Sequence, residues 1–144
     1  VAGMMVYSNN FIANQLLLYG GMEIEGPPAV PKKGLKVLKH HLTQDLGIPE
    51  EEFFFEEGSG LSRKNRMTPE AIWKVLINYQ PYQSTLPLQN KVSLKTGTLK
   101  GIFTLAGYLP GAENRFFVIM LNQRSNHRDT VFGNLLNLHQ KMGF

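Results

Sequence analysis

The sequence predicts an α+β fold in which helices flank a three-stranded antiparallel meander. Between Lys91 and Asn122, apolar residues recur at every second position in three segments that short turns connect. Apolar residues at helical spacing precede this region and follow it. The 144 residues, 42% of them hydrophobic, suffice for one modest domain or for part of a larger one.

Composition and charge exclude several classes of protein. Fifteen Lys and Arg against eleven Asp and Glu give a formal net charge of +4, and 18% of residues are charged. Together with 10% aromatic residues, this balance is not that of a disordered tail or linker. No apolar run approaches the roughly 20 residues that a membrane span needs. The sequence contains no Cys, which excludes disulfides, Cys-ligated metals and thiol nucleophiles.

The first third of the chain is predicted to be helical. Apolar residues from Ala2 to Tyr19 fall mostly at helical spacing, and the polar triplet Ser8-Asn9-Asn10 divides them into two helices. One asparagine of this triplet is expected to cap the second helix, and Gly20-Gly21 to end it. A third helix is predicted over about Lys32 to Leu46, with leucines on one face and lysines on the other.

The middle of the chain is predicted to hold a short strand, a turn and a fourth helix. Phe53-Phe54-Phe55 leads into Gly58-Ser59-Gly60, which is typical of a buried or extended segment that ends in a tight turn. Thr68-Pro69-Glu70 predicts a helix start, because Thr accepts a backbone N–H and Pro is well suited to the first position. Trp73 is expected to lie in the core. Residues 81–89, with two prolines, are expected to be a loop.

Alternating residues mark the three strands of the meander. They are Val92, Leu94 and Thr96, then Phe103, Leu105, Gly107 and Leu109, then Phe116, Val118, Met120 and Asn122. Leu99-Lys100-Gly101 and Pro110-Gly111 provide the turns, so consecutive strands are expected to pair antiparallel. From Asp129 to Met142 a terminal helix is predicted to cover one face of the sheet. The residues that predict it are Val131, Leu135, Leu138 and Met142.

Two short motifs are candidates for chemistry. Ser8-Asn9-Asn10 (Ser-x-Asn) stands just before a helix, and Lys95-Thr96-Gly97 lies late in the first long strand. Taken alone, the first motif is more typical of helix caps than of a catalytic site, and the second can be a strand end where Gly permits a bulge. In this order and on these elements, they match two of the three signatures of penicillin-recognising serine enzymes, which are Ser-x-x-Lys, Ser-x-Asn and Lys-Thr-Gly.

Longer segments extend the match. They are Ser8–Ala13, Glu57–Asn65, Lys95–Gly101 and Leu105–Tyr108. The chain resembles, over essentially its whole length, the D-alanyl-D-alanine carboxypeptidase/endopeptidase family of low-molecular-weight class C penicillin-binding proteins. The resemblance implies that residues 1–144 are the C-terminal part of a β-lactamase/transpeptidase-like, penicillin-binding domain whose upstream part is missing.

The resemblance implies catalytic roles for Ser8, Asn10 and Lys95. The Ser8 hydroxyl both donates and accepts, so it suits a proton relay to the departing amine. The Asn10 amide would position the substrate's peptide and a neighbouring lysine. Lys95 would attract the substrate carboxylate.

Three further residues are implied to bind substrate. Thr96 and Thr98 would donate hydroxyl hydrogen bonds to the carboxylate, and the backbone N–H of Thr98 would be an oxyanion donor. Gly97 would let an extended peptide approach the strand edge. The resemblance implies neither a metal nor an organic cofactor.

The third signature is absent. None of the six serines is followed by Lys three positions on, so the nucleophile and its base are missing from this chain. Truncation is the favoured interpretation, since both lie upstream in the family and the chain starts at Val1. The isolated chain is therefore expected not to be acylated by penicillin. Two smaller departures are Glu57, where the family usually has Asp, and a short loop before Lys95.

Expected partners are peptidoglycan stem peptides and β-lactams, outside the cytoplasmic membrane or in the periplasm, together with the missing N-terminal part of the same protein. Two alternatives stay open: a non-catalytic wall-binding or regulatory module that lost the nucleophile, and a structural interaction domain with accidental motifs.

Truncation would expose sheet edge and apolar surface, which favours self-association. Nucleic-acid binding is not expected, because no recognition motif accompanies the charge. The basic clusters are interpreted as solvated surface: Lys32, Lys33, Lys36 and Lys39, and Arg63, Lys64 and Arg66.

Overall fold

Helices and strands are divided between two parts of the chain. In the computed structural model, which describes residues 1–111 and 115–143, Val1–Asn78 form one unit and Tyr79–Phe144 a second. We call them the helical unit and the sheet unit. No helix in the described part of the chain is long and apolar enough to cross a membrane.

The helical unit is built from four helices and a small two-stranded sheet. Its helices are α1 (Ala2–Tyr7), α2 (Asn10–Glu25), α3 (Pro31–His40) and α4 (Pro69–Tyr79), the last of which ends in the first residue of the sheet unit. A π-helical turn over His41–Asp45 and a 3₁₀ turn over Glu50–Glu52 follow α3. The strands β1 (Phe53–Phe54) and β2 (Arg66–Met67) pair antiparallel. The third predicted helix is thus α-helical only as far as His40.

The break between the first two helices is confirmed. Ser8 closes α1 in the left-handed conformation (φ 50°, ψ 48°), and the side chain of Asn9 caps α2 by accepting the N–H of Ile12 at 3.0 Å. The predicted stop at Gly20-Gly21 is wrong, because α2 continues to Glu25. It ends at Gly26, whose φ of 77° suits glycine.

The glycines inside α2 and α3 serve close helix packing. A Cβ on Gly21 would lie 2.3 Å from the backbone nitrogen of Gly34, and a Cβ on Gly34 would lie 2.2 Å from the carbonyl oxygen of Leu17. The two backbones therefore approach at a distance that no larger residue permits. Sequence spacing does not distinguish such a glycine from one that ends a helix.

A small apolar core holds the helical unit together. Its buried members are Leu42, Ile48, Phe53 and Ala71, with Leu38, Leu46, Phe55, Met67 and Val75 packed against them. The start of α4 is confirmed, since Thr68 Oγ1 accepts the N–H of Ala71 at 3.1 Å. The prediction for Trp73 is wrong, because its side chain is 48% exposed. Trp73 lies two positions after buried Ala71 and therefore faces the opposite side of the helix.

The sheet unit contains the predicted meander and one additional short strand. A 3₁₀ turn (Gln80–Thr85) is followed by β3 (Leu88–Gln89), β4 (Val92–Leu99), β5 (Ile102–Leu109), β6 (Arg115–Asn122) and helix α5 (Arg128–Lys141). The sheet order is β3-β4-β5-β6, all antiparallel. The three long strands and the terminal helix are confirmed, whereas residues 81–89 are partly ordered as turn and strand.

Helix α5 covers one face of the sheet with a different stripe from the predicted one. The buried core of this unit is formed by Val92, Leu94, Leu105, Leu109, Phe117 and Ile119. Phe132, Leu135 and Leu136 pack on it, and Phe132 stacks on Phe117 at 5.2 Å between ring centroids. Of the predicted stripe, Leu135 packs on the sheet, whereas Val131, Leu138 and Met142 are exposed. His139 is buried instead, with Nε2 2.8 Å from the Pro110 carbonyl oxygen.

Gly34→Ala is expected to destabilise the protein, because the new methyl group would overlap the backbone of α2 at Leu17. The cost should be about 1–3 kcal/mol in the free energy of unfolding, as for other overpacked sites. Urea unfolding followed by circular dichroism measures it.

Gly20→Ala is the matched control within α2. A Cβ on Gly20 would meet no atom within 4 Å, so only the higher helix propensity of Ala should affect the free energy of unfolding. The variant should therefore be at least as stable as the wild type. Equal stabilities of the two variants would contradict the packing role of Gly34.

Candidate functional site

Ser8 and Asn10 lie on either side of the junction between α1 and α2. Ser8 is exposed and holds a left-handed backbone, which costs a residue other than glycine about 1–2 kcal/mol. Asn10 is the first residue of α2 and is also exposed. Conformations of this kind are enriched at functional positions, where surrounding structure maintains them. A left-handed residue is also common at the C-terminal end of a helix, which is the place of Ser8 in α1.

Asn14 connects α2 to the Glu57–Asn65 segment. One helical turn after Asn10, its Oδ1 accepts the backbone N–H of Gly58 at 2.8 Å. The Glu57–Asn65 loop is therefore hydrogen-bonded to α2, the helix that begins at the Ser-x-Asn motif. The sequence analysis missed Asn14, although its spacing of four from Asn10 places both amides on one helix face.

The carboxylate of Glu57 organises this loop. It accepts the backbone N–H and hydroxyl of Ser59, the N–H groups of Gly60 and Ser62 at 2.8 and 3.2 Å, and Nδ2 of Asn65 at 2.8 Å. Burial alone would raise the pKa of Glu57, but the hydrogen bonds from Ser59, Ser62 and Gly60 outweigh it and lower the pKa to about 2. Glu57 is thus the centre of the hydrogen bonds in this loop.

Strand β4 presents an open edge next to the Lys-Thr-Gly motif. The N–H of Leu94 bonds to the Pro87 carbonyl oxygen at 3.0 Å, on the side away from β5. Backbone groups alternate in direction along a strand, so the N–H groups of Thr96 and Thr98 also point away from β5. Strand β3 pairs only with Val92 and Ser93, and no other strand of the described residues covers this edge.

Lys95 is half-buried on this strand. Its Nζ donates to the carbonyl oxygen of Thr96 at 2.9 Å, which holds the ammonium beside the open edge. Burial lowers the pKa of Lys95, because removal from water disfavours the charged form.

Gly97 lies in close contact with the neighbouring strand. It is paired with Thr104 of β5, and a Cβ at Gly97 would lie 2.4 Å from Thr104 Oγ1. The packing of β4 on β5 thus gives a reason for glycine at position 97, in addition to its predicted role in letting a peptide approach the strand.

Thr98 is exposed, and its Oγ1 accepts a hydrogen bond from Nη1 of Arg128 at 3.2 Å. The sequence analysis missed Arg128, because nothing in its local sequence indicates a contact 30 residues away.

The predicted residues fall into two groups, one in each unit. The structure places Ser8 and Asn10 together at one helix junction of the helical unit, and Lys95 to Thr98 along one edge of the sheet unit. Within residues 1–111 and 115–143, no three His, Asp or Glu side chains are grouped as metal ligands.

The fold is that of solved penicillin-binding proteins. The chain is similar to penicillin-binding protein 4 (dacB) from Haemophilus influenzae, in a structure with a β-lactam and in one described without it. The TM-scores are 0.77 and 0.78, at 28% sequence identity, over 87% of this chain and 35% and 33% of those chains. A predatory endopeptidase from Bdellovibrio bacteriovorus, solved with an immunity protein, shares the fold at 21% identity and a TM-score of 0.67.

Sequence comparison identifies the family. The profile of the D-Ala-D-Ala carboxypeptidase 3 (S13) family matches residues 1–88 and 82–134, and the chain belongs to that family. It is 30% identical to the D-alanyl-D-alanine carboxypeptidase DacB of Haemophilus influenzae and 27% identical to a D-alanyl-D-alanine carboxypeptidase of Actinomadura sp. (strain R39). These matches cover 83% and 82% of the chain but only 30% and 27% of the relatives. The chain thus spans less than a third of the length of these curated relatives.

Glu57→Gln is expected to lower the free energy of unfolding by about 1–2 kcal/mol, because backbone donors of the loop lose their charged acceptor. Since folding lowers the pKa of Glu57 from 4.5 to about 2, its contribution is complete above about pH 4.5 and is lost as pH falls towards 2. Urea unfolding of both proteins across this pH range tests the prediction. Glu51→Gln, at an exposed site, should show no such difference.

Gly97→Ala is expected to destabilise the protein by about 1–3 kcal/mol, because its methyl group meets the Thr104 hydroxyl. Thr104→Ala removes that hydroxyl, so the double variant should recover most of the loss. Strictly additive costs in denaturant unfolding would contradict the contact.

Proposed function

We propose that this chain is the C-terminal part of the penicillin-binding domain of a serine D,D-carboxypeptidase or endopeptidase. The complete protein would hydrolyse D-Ala-D-Ala bonds or cross-links of peptidoglycan stem peptides through an acyl-enzyme, and would bind β-lactams covalently. It would act outside the cytoplasmic membrane, in agreement with the cell-wall substrates that the names of its relatives indicate.

The single observation that carries the proposal is the open edge of β4 beside Lys95. An extended peptide can add to such an edge through backbone hydrogen bonds, with its terminal carboxylate near a cation. The hydroxyls of Thr96 and Thr98 would bind that carboxylate. The outward N–H of Thr98 would serve as an oxyanion donor, which is worth about 3–4 kcal/mol in comparable enzymes. Gly97 would keep the strand free of a side chain beside the peptide.

In the proposed enzyme, Ser8 and Asn10 of the helical unit would have two further functions. The Ser8 hydroxyl would relay a proton to the leaving amine, and the Asn10 amide would hold the substrate peptide. The left-handed backbone of Ser8 and the attachment of α2 to the Glu57 loop support a fixed position for both residues. The nucleophile and its lysine base would come from a segment outside residues 1–144.

Exposed apolar side chains support the idea that further protein covers this chain. Within α1 and α2 they include Val6, Tyr7, Phe11, Ile12, Leu16 and Tyr19. Exposure of this extent in two adjacent helices marks a contact surface.

The proposal is tested by labelling with benzylpenicillin and measuring intact mass. The 144-residue chain should remain unmodified, whereas the longer protein encoded by the parental gene should gain one penicilloyl group on the serine of a Ser-x-x-Lys motif. In that longer protein, Lys95→Ala should slow acylation by about 10²-fold or more, because a charge that binds the ligand carboxylate is lost.

Lys91→Ala is the control, since it removes an equal charge four residues earlier at an exposed position; it should be acylated at the wild-type rate. Acylation of the 144-residue chain, or equal rates for the Lys95 and Lys91 variants, would contradict the proposal. A parental gene without Ser-x-x-Lys, together with peptide binding and no turnover, would establish the non-catalytic wall-binding module instead.

A further inference from the structure

We propose that Arg128 is a specificity-determining residue that, together with Thr98, binds the free carboxylate of a peptide lying along β4. The inference rests on the proposed function, because it assigns a ligand to the same strand edge. Arg128 of α5 would be a second cation at this edge, in addition to Lys95 of the Lys-Thr-Gly motif.

Arg128 is held against the strand rather than extended into solvent. It is the first residue of α5, its backbone N–H donates to Asn126 Oδ1 at 3.0 Å, and its side chain is only 13% exposed. Packing of Phe132 on Phe117 fixes the helix on the sheet. Thr98 shares its face of β4 with Leu94, which belongs to the core that α5 covers.

The contact between Arg128 and Thr98 has a defined direction. A guanidinium group only donates hydrogen bonds, so Thr98 Oγ1 must be the acceptor in the 3.2 Å bond from Nη1. The hydroxyl proton of Thr98 is therefore not used in this bond and can be donated to a ligand. Nη2 of Arg128 has no hydrogen-bond partner among residues 1–111 and 115–143. A carboxylate can accept from the Thr98 hydroxyl and from the guanidinium at the same time.

The charge of Arg128 is only weakly compensated. Its Nε lies 3.2 Å from Asp129 Oδ1, but the Asp129 side chain is 81% exposed, and such surface pairs contribute little. Lys95 lies three residues before Thr98 on the same strand, or roughly 10 Å along it. A ligand carboxylate at Thr98 would thus meet positive charge from both the strand and the helix.

Binding to the 144-residue chain itself tests this inference without any acylation step. N-acetyl-D-alanyl-D-alanine and its C-terminal amide are titrated separately, and the amide signals of Gly97 and Thr98 are followed by NMR. We expect the carboxylate form to bind about tenfold more tightly than the amide. Arg128→Gln retains a donor for Thr98 but removes the charge of the helix, so it should clearly reduce this preference, with Lys95 still present, and leave binding of the amide unchanged.

Arg124→Gln removes an equal charge from an exposed position in the preceding loop and should retain the full preference. Thr98→Val, which keeps the side-chain shape, provides a second test if the Arg128 variant fails to fold, and should also reduce the preference. The inference is overturned if the wild type does not prefer the carboxylate, or if Arg128→Gln weakens both ligands equally. Neither result affects the benzylpenicillin test, which therefore judges the proposed function separately.

Discussion

The antiparallel pairing of β4 with β5 is the constraint on which the candidate site depends. It fixes which backbone groups of β4 are used inside the sheet and which point outward, so that the N–H groups of Thr96 and Thr98 reach the open edge. The same register places Thr104 opposite Gly97 and leaves no space for a side chain there. A shift of one residue would reverse both faces of the strand and remove Thr98 from the α5 side.

In the helical unit, α2 has a corresponding supporting role. Its first residue belongs to the Ser-x-Asn motif, its next turn binds the Glu57 loop through Asn14, and its middle packs on α3 through Gly21. Three separate parts of the sequence thus meet on one helix. The exposed Ser8, with its left-handed backbone, directly precedes the well-packed helix α2. Attachment to a packed helix helps to keep its orientation fixed.

The part of the chain that matches the family profile contains both motifs. The chain spans less than a third of its curated relatives. In the Glu57 loop a single carboxylate accepts hydrogen bonds from Ser59, Gly60 and Ser62. The physical requirement is an acceptor for clustered N–H groups, and the partly buried Glu57 carboxylate provides it.

The sequence by itself determined the α+β class, the three long strands, the helix starts at Asn9 and Thr68, and the two motifs. These features depend on periodicity and on local hydrogen bonds, which neighbouring residues define. Only the tertiary structure decided that Gly21 joins two helices rather than ending one, and that α5 buries Phe132. It alone brought Arg128 to Thr98, because contacts between distant segments depend on packing and register, which local sequence patterns do not encode.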